Sequence, residues 1–255
     1  MKVSVITTTY NSAATVRDTL DSVLRQDYPD IEHIIVDGGS TDGTLDIIRE
    51  YEPRYGGRLR YISEPDHGIY DAMNKGIRLA TGDVIGILNS DDWYTADDIV
   101  SVLAAPIAAG DAEATYGDVH YVDAARGNRF VRYYSSRRFR RSLMRFGMMP
   151  AHPTFYAHRS VYDRHGLFDT DFRIAADFEH LLRVIYVGRT VTRYVSRDCV
   201  TMRTGGASTA GISSHLQIMR DHARAYHKNH VLSNRVLDAL RYPGKIIDLI
   251  SGRRC

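Results

Sequence analysis

The stretch Val84-Ile85-Gly86-Ile87-Leu88-Asn89-Ser90-Asp91-Asp92-Trp93 decides the fold. Five apolar residues in a row, too few for a helix, read as a strand buried on both faces, as in a parallel sheet. The run stops on adjacent carboxylates, Asp91 and Asp92. Ligands in open α/β sheets bind beyond the carboxyl ends of the strands. Two acids there, with no basic residue in the local sequence, repel unless a cation joins them. Hard divalent ions such as Mg²⁺ or Mn²⁺ take oxygen ligands and bridge to substrate phosphates. An Asx turn capping the next helix is the competing reading.

Working outward, the preceding residues alternate strand and helix patterns. Strands are expected at 3–7, 31–36 and 59–62. Helical spacing links Ala13, Val16, Leu20, Val23 and Leu24, then begins again at Leu45, and spans Ile69–Leu79; a further helix is expected at 96–109. Such alternation implies a parallel sheet with right-handed crossovers. After residue 113 the pattern changes: short strands at 114–116, 120–122, 128–134 and 154–157, then helices at 160–165 and 177–186. From Ser213 onward the pattern is helical, interrupted at Pro243-Gly244.

The chain has 255 residues, which suits one large α/β domain with an elaborated C-terminal part. A formal net charge of +2 argues against a global nucleic-acid role. The two cysteines, Cys199 and Cys255, are too few for a disulfide framework and suit a reducing compartment. Met1 leads directly into strand pattern, and no window approaches 18 uninterrupted apolar residues. The expectation is a cytoplasmic protein, any membrane contact being peripheral at the inner face of the cytoplasmic membrane.

The first strand–helix turn, Thr8-Thr9-Tyr10-Asn11-Ser12, contains no glycine, which excludes a Gly-x-Gly-x-x-Gly dinucleotide loop. A nucleotide here must be held by an aromatic ring, hydroxyls and a carboxylate accepting a base N–H. Tyr10 and Asp37, at the ends of neighbouring strands, supply the ring and the acid.

Five blocks in order carry a resemblance: residues 5–11 (Val-Ile-Thr-Thr-Thr-Tyr-Asn), 35–44 (Ile-Val-Asp-Gly-Gly-Ser-Thr-Asp-Gly-Thr), 72–76 (Ala-Met-Asn-Lys-Gly), 80–83 (Ala-Thr-Gly-Asp) and 88–92 (Leu-Asn-Ser-Asp-Asp). The sequence resembles the family 2 glycosyltransferases of the GT-A fold, bacterial polysaccharide-biosynthesis type, across residues 3–92 and again from His152 to Arg183. The resemblance implies a Rossmann-like α/β fold, a mostly parallel central sheet flanked by helices, with a C-terminal helical extension. It divides the chain into a GT-A domain at 1–210, whose halves 1–112 and 113–210 bind nucleotide-sugar and acceptor, and a helical tail at 211–255. It further implies metal-dependent inverting transfer of a hexosyl or N-acetylhexosaminyl group from a nucleoside diphosphate-sugar, a UDP-sugar foremost. The acceptor would be a glycan or a polyprenyl-diphosphate-linked one.

Placed residue by residue, the resemblance puts Thr8, Thr9, Tyr10, Asp37, Asn89, Ser90 and Asp91 on the nucleotide-sugar. Asp92 and Asp91 fall on the divalent metal (Mn²⁺ or Mg²⁺). Asn89 stands where an acid is common, so metal binding rests on Asp92 with Asp91 nearby. Asp177 matches the general base at a helix start; alone it reads as a cap. Ala176 replaces the usual preceding acid, which leaves Glu179 as the second catalytic candidate. Asp66, in the loop Glu64-Pro65-Asp66-His67-Gly68, is expected over the diphosphate or donor sugar. Asp71 and Lys75 are spaced as a helical ion pair. His152 is a candidate acceptor contact, and Gly205-Gly206-Ala207-Ser208-Thr209 either closes on phosphates or is a plain loop. His165, His180 and His222 lack paired metal-ligand spacing and read as structural.

Residues 137–149 interleave five arginines with Phe139, Leu143, Met144, Phe146, Met148 and Met149, which suits an anionic membrane surface. Residues 245–254 have the same character. Base-stacking aromatics are few there, so no nucleic-acid partner is expected. Two alternatives stay open: a sugar nucleotidyltransferase, although the Gly-rich triphosphate loop is missing, and a catalytically silent scaffold of a polysaccharide-assembly complex.

Overall fold

The computed structural model describes residues 1–205, 212–233 and 237, the side chains of 212–215 excepted. Its centre is β1 (Val3–Thr9), parallel to β2 (Ile31–Asp37) on one side and to β4 (Val84–Ile87) on the other, with β3 (Leu59–Ser63) outside β2. Every residue of β1, β2 and β4 is buried. Alternation sends Val3, Val5, Ile31 and Ile35 to one face of the sheet and Ile6, Ile34 and Val36 to the other. Helix α1 (Val16–Leu24) covers the first face through Val16, Leu20 and Val23, and α2 (Thr44–Tyr51) through Ile48 and Tyr51. Helix α3 (Ile69–Leu79) covers the second through Ala72, Met73 and Ile77. It packs so close that a Cβ on Gly76 would lie 2.4 Å from Ile6 Cγ2.

The register places Thr9 opposite Asp37, and Ile6 opposite Ile87. The polar segments after β1, β2 and β4 therefore share one edge. Beyond them come β5 (Trp93–Tyr94), α4 (Ile99–Ala108), β6 (Ala114–Asp123), β7 (Arg129–Tyr134), β8 (Tyr156–His158), α5 (Arg159–His165), α6 (Ala176–Leu181), β9 (Thr192–Arg203) and α7 (Ile212–Lys228). Among the described residues the sheet has nine strands, in the order β3-β2-β1-β4-β8-β6-β9-β5, with β7 hydrogen-bonded to β6. Strand β8 runs antiparallel to β4 and β6, so one sheet joins both halves of the chain.

Several expectations change. The strands at 114–116 and 120–122 are one strand, bent by register shifts near Asp118. The strand expected from Thr154 starts at Tyr156, because Pro153 fixes a 3₁₀ turn over His152–Thr154. The helix expected at 177–186 begins as α6 and continues as π-helix over Leu182–Val187. Strand β9, parallel to β6, was hidden by Arg193, Arg197 and Asp198.

Residues Arg141–Phe146 form a 3₁₀ helix. Phe139 and Met144 are buried, Tyr226 donates to the Met144 carbonyl at 2.9 Å, and Arg145 donates to that of Leu232 at 2.7 Å. The core thus accounts for part of this segment's apolar content. Arg137, Arg138, Arg140 and Arg141 stay exposed. Cys199 is a buried free thiol on β9, pushed by burial up to about 12. Among the described residues no helix is long and apolar enough to cross a membrane. The loop at 206–209 and the stretch 245–254, with Cys255, lie outside the described residues.

Candidate active site

Asp37, the last residue of β2, is fully buried. Its Oδ1 accepts from Thr9 Oγ1 at 2.9 Å and from Ser40 Oγ. Its Oδ2 accepts from the amides of Gly39 at 3.1 Å and Ser40 at 2.9 Å and from Ser63 Oγ at 2.7 Å. Burial alone would raise this carboxyl, yet these bonds, led by Ser40 and Ser63, hold it below the ordinary range. Five donors occupy a group with roughly four lone-pair sites. Its direct effect is to fix the loop that follows, where Gly38 lies under two side chains. A Cβ on Gly38 would lie 2.5 Å from Asp66 Oδ2 and 3.4 Å from Tyr10 Cδ2. Tyr10 is 66% exposed, a ring open to a planar ligand.

Asp66 Oδ1 accepts from the Gly68 amide at 2.8 Å. Lys75 ties this loop to α3 through the Pro65 carbonyl at 2.9 Å and Glu64 at 2.8 Å, with Asp71 at 3.8 Å as the expected helical neighbour. Thr8 Oγ1 is buried without a partner. Ser90 and Ser12 share a hydroxyl hydrogen bond of 2.8 Å that joins the turns after β1 and β4.

The acids after β4 contrast with Asp37. Asp92 is 2% exposed, and its Oδ2 is buried without a partner, as is Asn89 Oδ1. Burial, then the neighbouring Asp91, push the Asp92 carboxyl well up; a backbone bond of Arg203, Asn89 and the Arg203 charge oppose this. Half-buried Asp91 is raised too, by burial first. Arg203 donates to the Asp91 carbonyl at 2.6 Å, pairs with Asp18, and places its guanidinium 4.4 Å from the centre of the Trp93 ring. With that cation already engaged, two adjacent burial-raised carboxyls and an orphaned oxygen fit a hard divalent ion. The described residues hold no cluster of three or more His, Cys, Asp or Glu suited to a metal. Such a site would take one or two carboxylates from the protein and the rest from phosphate and water.

Asp177 approaches from the other half. It lies in the first turn of α6, whose N-cap is Ala175, so Asp177 is not the cap. It is half-buried, and its Oδ1 accepts from the Phe178 amide at 2.8 Å and from Tyr70 OH at 3.4 Å. His152 is pushed down by burial, with Asp177 opposing, and its ring meets Phe168 edge-on at 5.7 Å. The phenol of Tyr121, on β6, is half-buried. Burial raises it, Arg132 opposes at 4.0 Å over the ring, and Asp92 and Asp177 both raise it further. One side chain therefore feels both carboxylates.

Glu179 is not brought to this cleft. It is fully buried, with Arg183 on both oxygens at 3.0 Å and Asn229 donating at 3.1 Å. His180 stacks on Tyr162 at 5.3 Å and His222 on Phe178 at 3.7 Å, packing roles as expected. Tyr70, Tyr121, Ser63 and Arg203 were not anticipated. No local motif marks them; the register of β3, β6 and β9 and the packing of α3 bring them in.

The description "Glycosyl transferase family 2" matches residues 4–167. A PGL/p-HBAD biosynthesis glycosyltransferase of Mycobacterium bovis is 35% identical over 193 residues, covering 75% of this chain and 73% of that protein. An uncharacterized glycosyltransferase of Mycobacterium tuberculosis is 34% identical over 215 residues, 84% of this chain and 77% of the other. Among solved structures, Staphylococcus aureus TarS 1-349 in complex with UDP-GlcNAc aligns over 88% of this chain and 66% of its own, with TM-score 0.70 and 21% identity. The Pyrobaculum calidifontis mannosyltransferase PcManGT, in complex with GDP-Man and Mn²⁺, aligns over 89% of this chain and 63% of its own, with TM-score 0.65 and 21% identity. Likeness of sequence over three quarters of the chain and likeness of fold over nearly all of it agree: this chain belongs to glycosyl transferase family 2 and is a glycosyltransferase.

Proposed function

We propose that the enzyme moves a hexosyl or N-acetylhexosaminyl group from a nucleoside diphosphate-sugar, with inversion at the anomeric carbon, to a glycan or lipid-linked acceptor. What supports the reading is that Asp92 and Asp177, from the two halves of the chain, both act electrostatically on the half-buried phenol of Tyr121. The UDP-GlcNAc and GDP-Man held by the two solved relatives support a nucleotide-sugar donor.

In this reading Tyr10 stacks on the base. Asp66 and Asn89 bond base or ribose, and Thr8 Oγ1 supplies a further hydroxyl. Asp37, Thr9 and Ser90 hold the loops that shape the pocket. Asp92, with Asp91, holds a divalent cation, which stabilises charge developing on the departing diphosphate. Asp177 accepts the proton of the attacking hydroxyl on the face opposite the leaving group. The buried Glu179–Arg183 pair has no path to that proton. His152, which feels the charge of Asp177, borders the acceptor.

The test is nucleoside diphosphate release from a panel of UDP-, GDP- and dTDP-sugars, with Mn²⁺, Mg²⁺ or chelator. Release from one class, abolished by chelator, is expected. Thermal stabilisation by UTP alone would favour nucleotidyl transfer, and no stabilisation by any nucleotide a silent scaffold. We also place the enzyme at an anionic membrane surface on the cytoplasmic side. Arg137, Arg138, Arg140 and Arg141 are exposed. Each such cation near an anionic bilayer contributes about 1 kcal/mol. Changing all four to Ser should abolish co-sedimentation with anionic vesicles.

A further inference from the structure

Helix α7 lies outside the residues matched by the family, yet it grips the segment that carries Asp177 along its length. Lys228 pairs with Asp169, and Arg224 with Asp171 at 3.2 Å. His222 stacks on Phe178 at 3.7 Å, and Asn229, just past the helix, reaches Glu179 at 3.1 Å. In the middle stands Asp221, an acid only 4% exposed. Its Oδ2 accepts from the amides of Ile174 and Ala175, each at 3.4 Å, and its Oδ1 from Gln217 at 2.8 Å.

Those amides matter because the chain at the start of α6 has no local substitute. Ala175 is the N-cap and offers no side-chain acceptor. A side chain 46 residues away does the work instead. The Ile174–Ala175 peptide is held from both sides: its N–H, that of Ala175, donates to Asp221, and its carbonyl, that of Ile174, accepts from Tyr70 OH, which also lies 3.4 Å from Asp177 Oδ1. Asp221, the Ile174–Ala175 peptide and Tyr70 thus form one hydrogen-bonded chain, and Tyr70 shares its single proton between the Ile174 carbonyl and, more weakly at 3.4 Å, the carboxylate assigned to proton transfer.

We propose that Asp221 is a positioning residue, holding the Ile174 peptide and through it the aim of Asp177. The inference rests on the reading of Asp177 as the base. Misplacing a reacting group by about 1 Å costs on the order of 10²-fold in rate. Loss of Asp221 should therefore act on turnover and leave donor binding alone.

The experiment uses the full chain, the donor selected by the panel, and nucleoside diphosphate release as readout. Asp221→Ala should lower kcat roughly 10- to 100-fold with donor KM unchanged. Asp221→Asn, which keeps an oxygen acceptor, should retain more activity and carries the test if the alanine variant does not fold. Arg224→Ala, which cuts an exposed grip of the same helix, should leave kcat unchanged. The deciding measurement is the double variant: with Asp177→Asn already present, Asp221→Ala should cost nothing further in kcat, because both act on one step. Equal losses in both backgrounds, an effect on KM alone, or an equally damaging Arg224→Ala would overturn the proposal. A fully active Asp177→Asn would instead sink the base assignment, a separate result.

Discussion

Asp37 and Asp92 follow the two strands that flank β1, and both are buried acids. Their surroundings are opposite. Asp37 receives five donors, three from the loop after it and one each from Thr9 and Ser63 on neighbouring strands, and sits below the ordinary carboxylate range; Asp92 keeps an unpartnered oxygen beside a like charge and sits well above it. The difference separates an acid the fold completes by itself from one completed from outside. In the proposed reading the first holds its loop in place at the edge that meets the ligand. In the proposed reading the second costs the empty fold stability that a bound cation would restore.

The sharpest way to break that contrast is Asp92→Asn. Transfer should fall roughly 10³-fold or more as the cation is lost. Without metal, the variant should be more stable than wild type at neutral pH, by roughly 1–3 kcal/mol, the usual cost of a buried unsatisfied group. The sign follows from the raised carboxyl. The unfolded chain ionises first, so wild type loses stability as pH rises above the unfolded value of about 3.9, and the advantage of the variant vanishes below it. Thermal melts in chelator at several pH values measure this; a variant less stable than wild type throughout would remove Asp92 from the second class.

Asp177→Asn should cut turnover about 10²-fold with donor binding intact, the scale of a lost general base. Retained turnover would place proton transfer elsewhere. Asp37→Asn should act mainly on the fold, costing about 2 kcal/mol through its charge-assisted bonds. Here the carboxyl is lowered in the native state, so its contribution is complete above pH ~4 and fades as pH falls through the native value. Equilibrium unfolding compared at pH 7 and below pH 4 should show the gap to wild type closing. A variant with normal stability but no nucleotide affinity would make Asp37 a direct ligand. The smallest effect belongs to Tyr10→Ala. Removing a stacked base is worth roughly 1–3 kcal/mol, so donor KM should rise about tenfold at constant kcat.

The N-terminal half was legible because its signals are local. Apolar runs end on polar turns at Thr9, Asp37 and Asn89, and α3 begins and ends where its spacing said, at Ile69 and Leu79. What those residues do was less legible, since occupancy depends on distant hydroxyls: Ser63, from β3, takes a lone pair of Asp37 that a ligand was expected to use. The second half resisted reading for a related reason. Strand β9 carries charges where a buried strand would carry valines, and Arg203 at its end answers to Asp91, 112 residues away. Asp177 reads as a cap until Ala175 is seen to occupy that place, and Glu179 reads as its alternative until Arg183 is found on it.

The parallel pairing of β6 with β9 sets an order of events for the growing chain. Ala114 lies opposite Thr192, so β6 must wait for about 80 further residues before that partner exists. Contacts of such sequence separation form slowly, and an unpaired strand edge invites association with other chains. The hairpin with β7, only a few residues further on, gives β6 an early neighbour along Val119–Asp123 that it keeps in the finished sheet. Chains ending before Thr192 would keep the other edge of β6 bare, and their fate is aggregation rather than a smaller working enzyme.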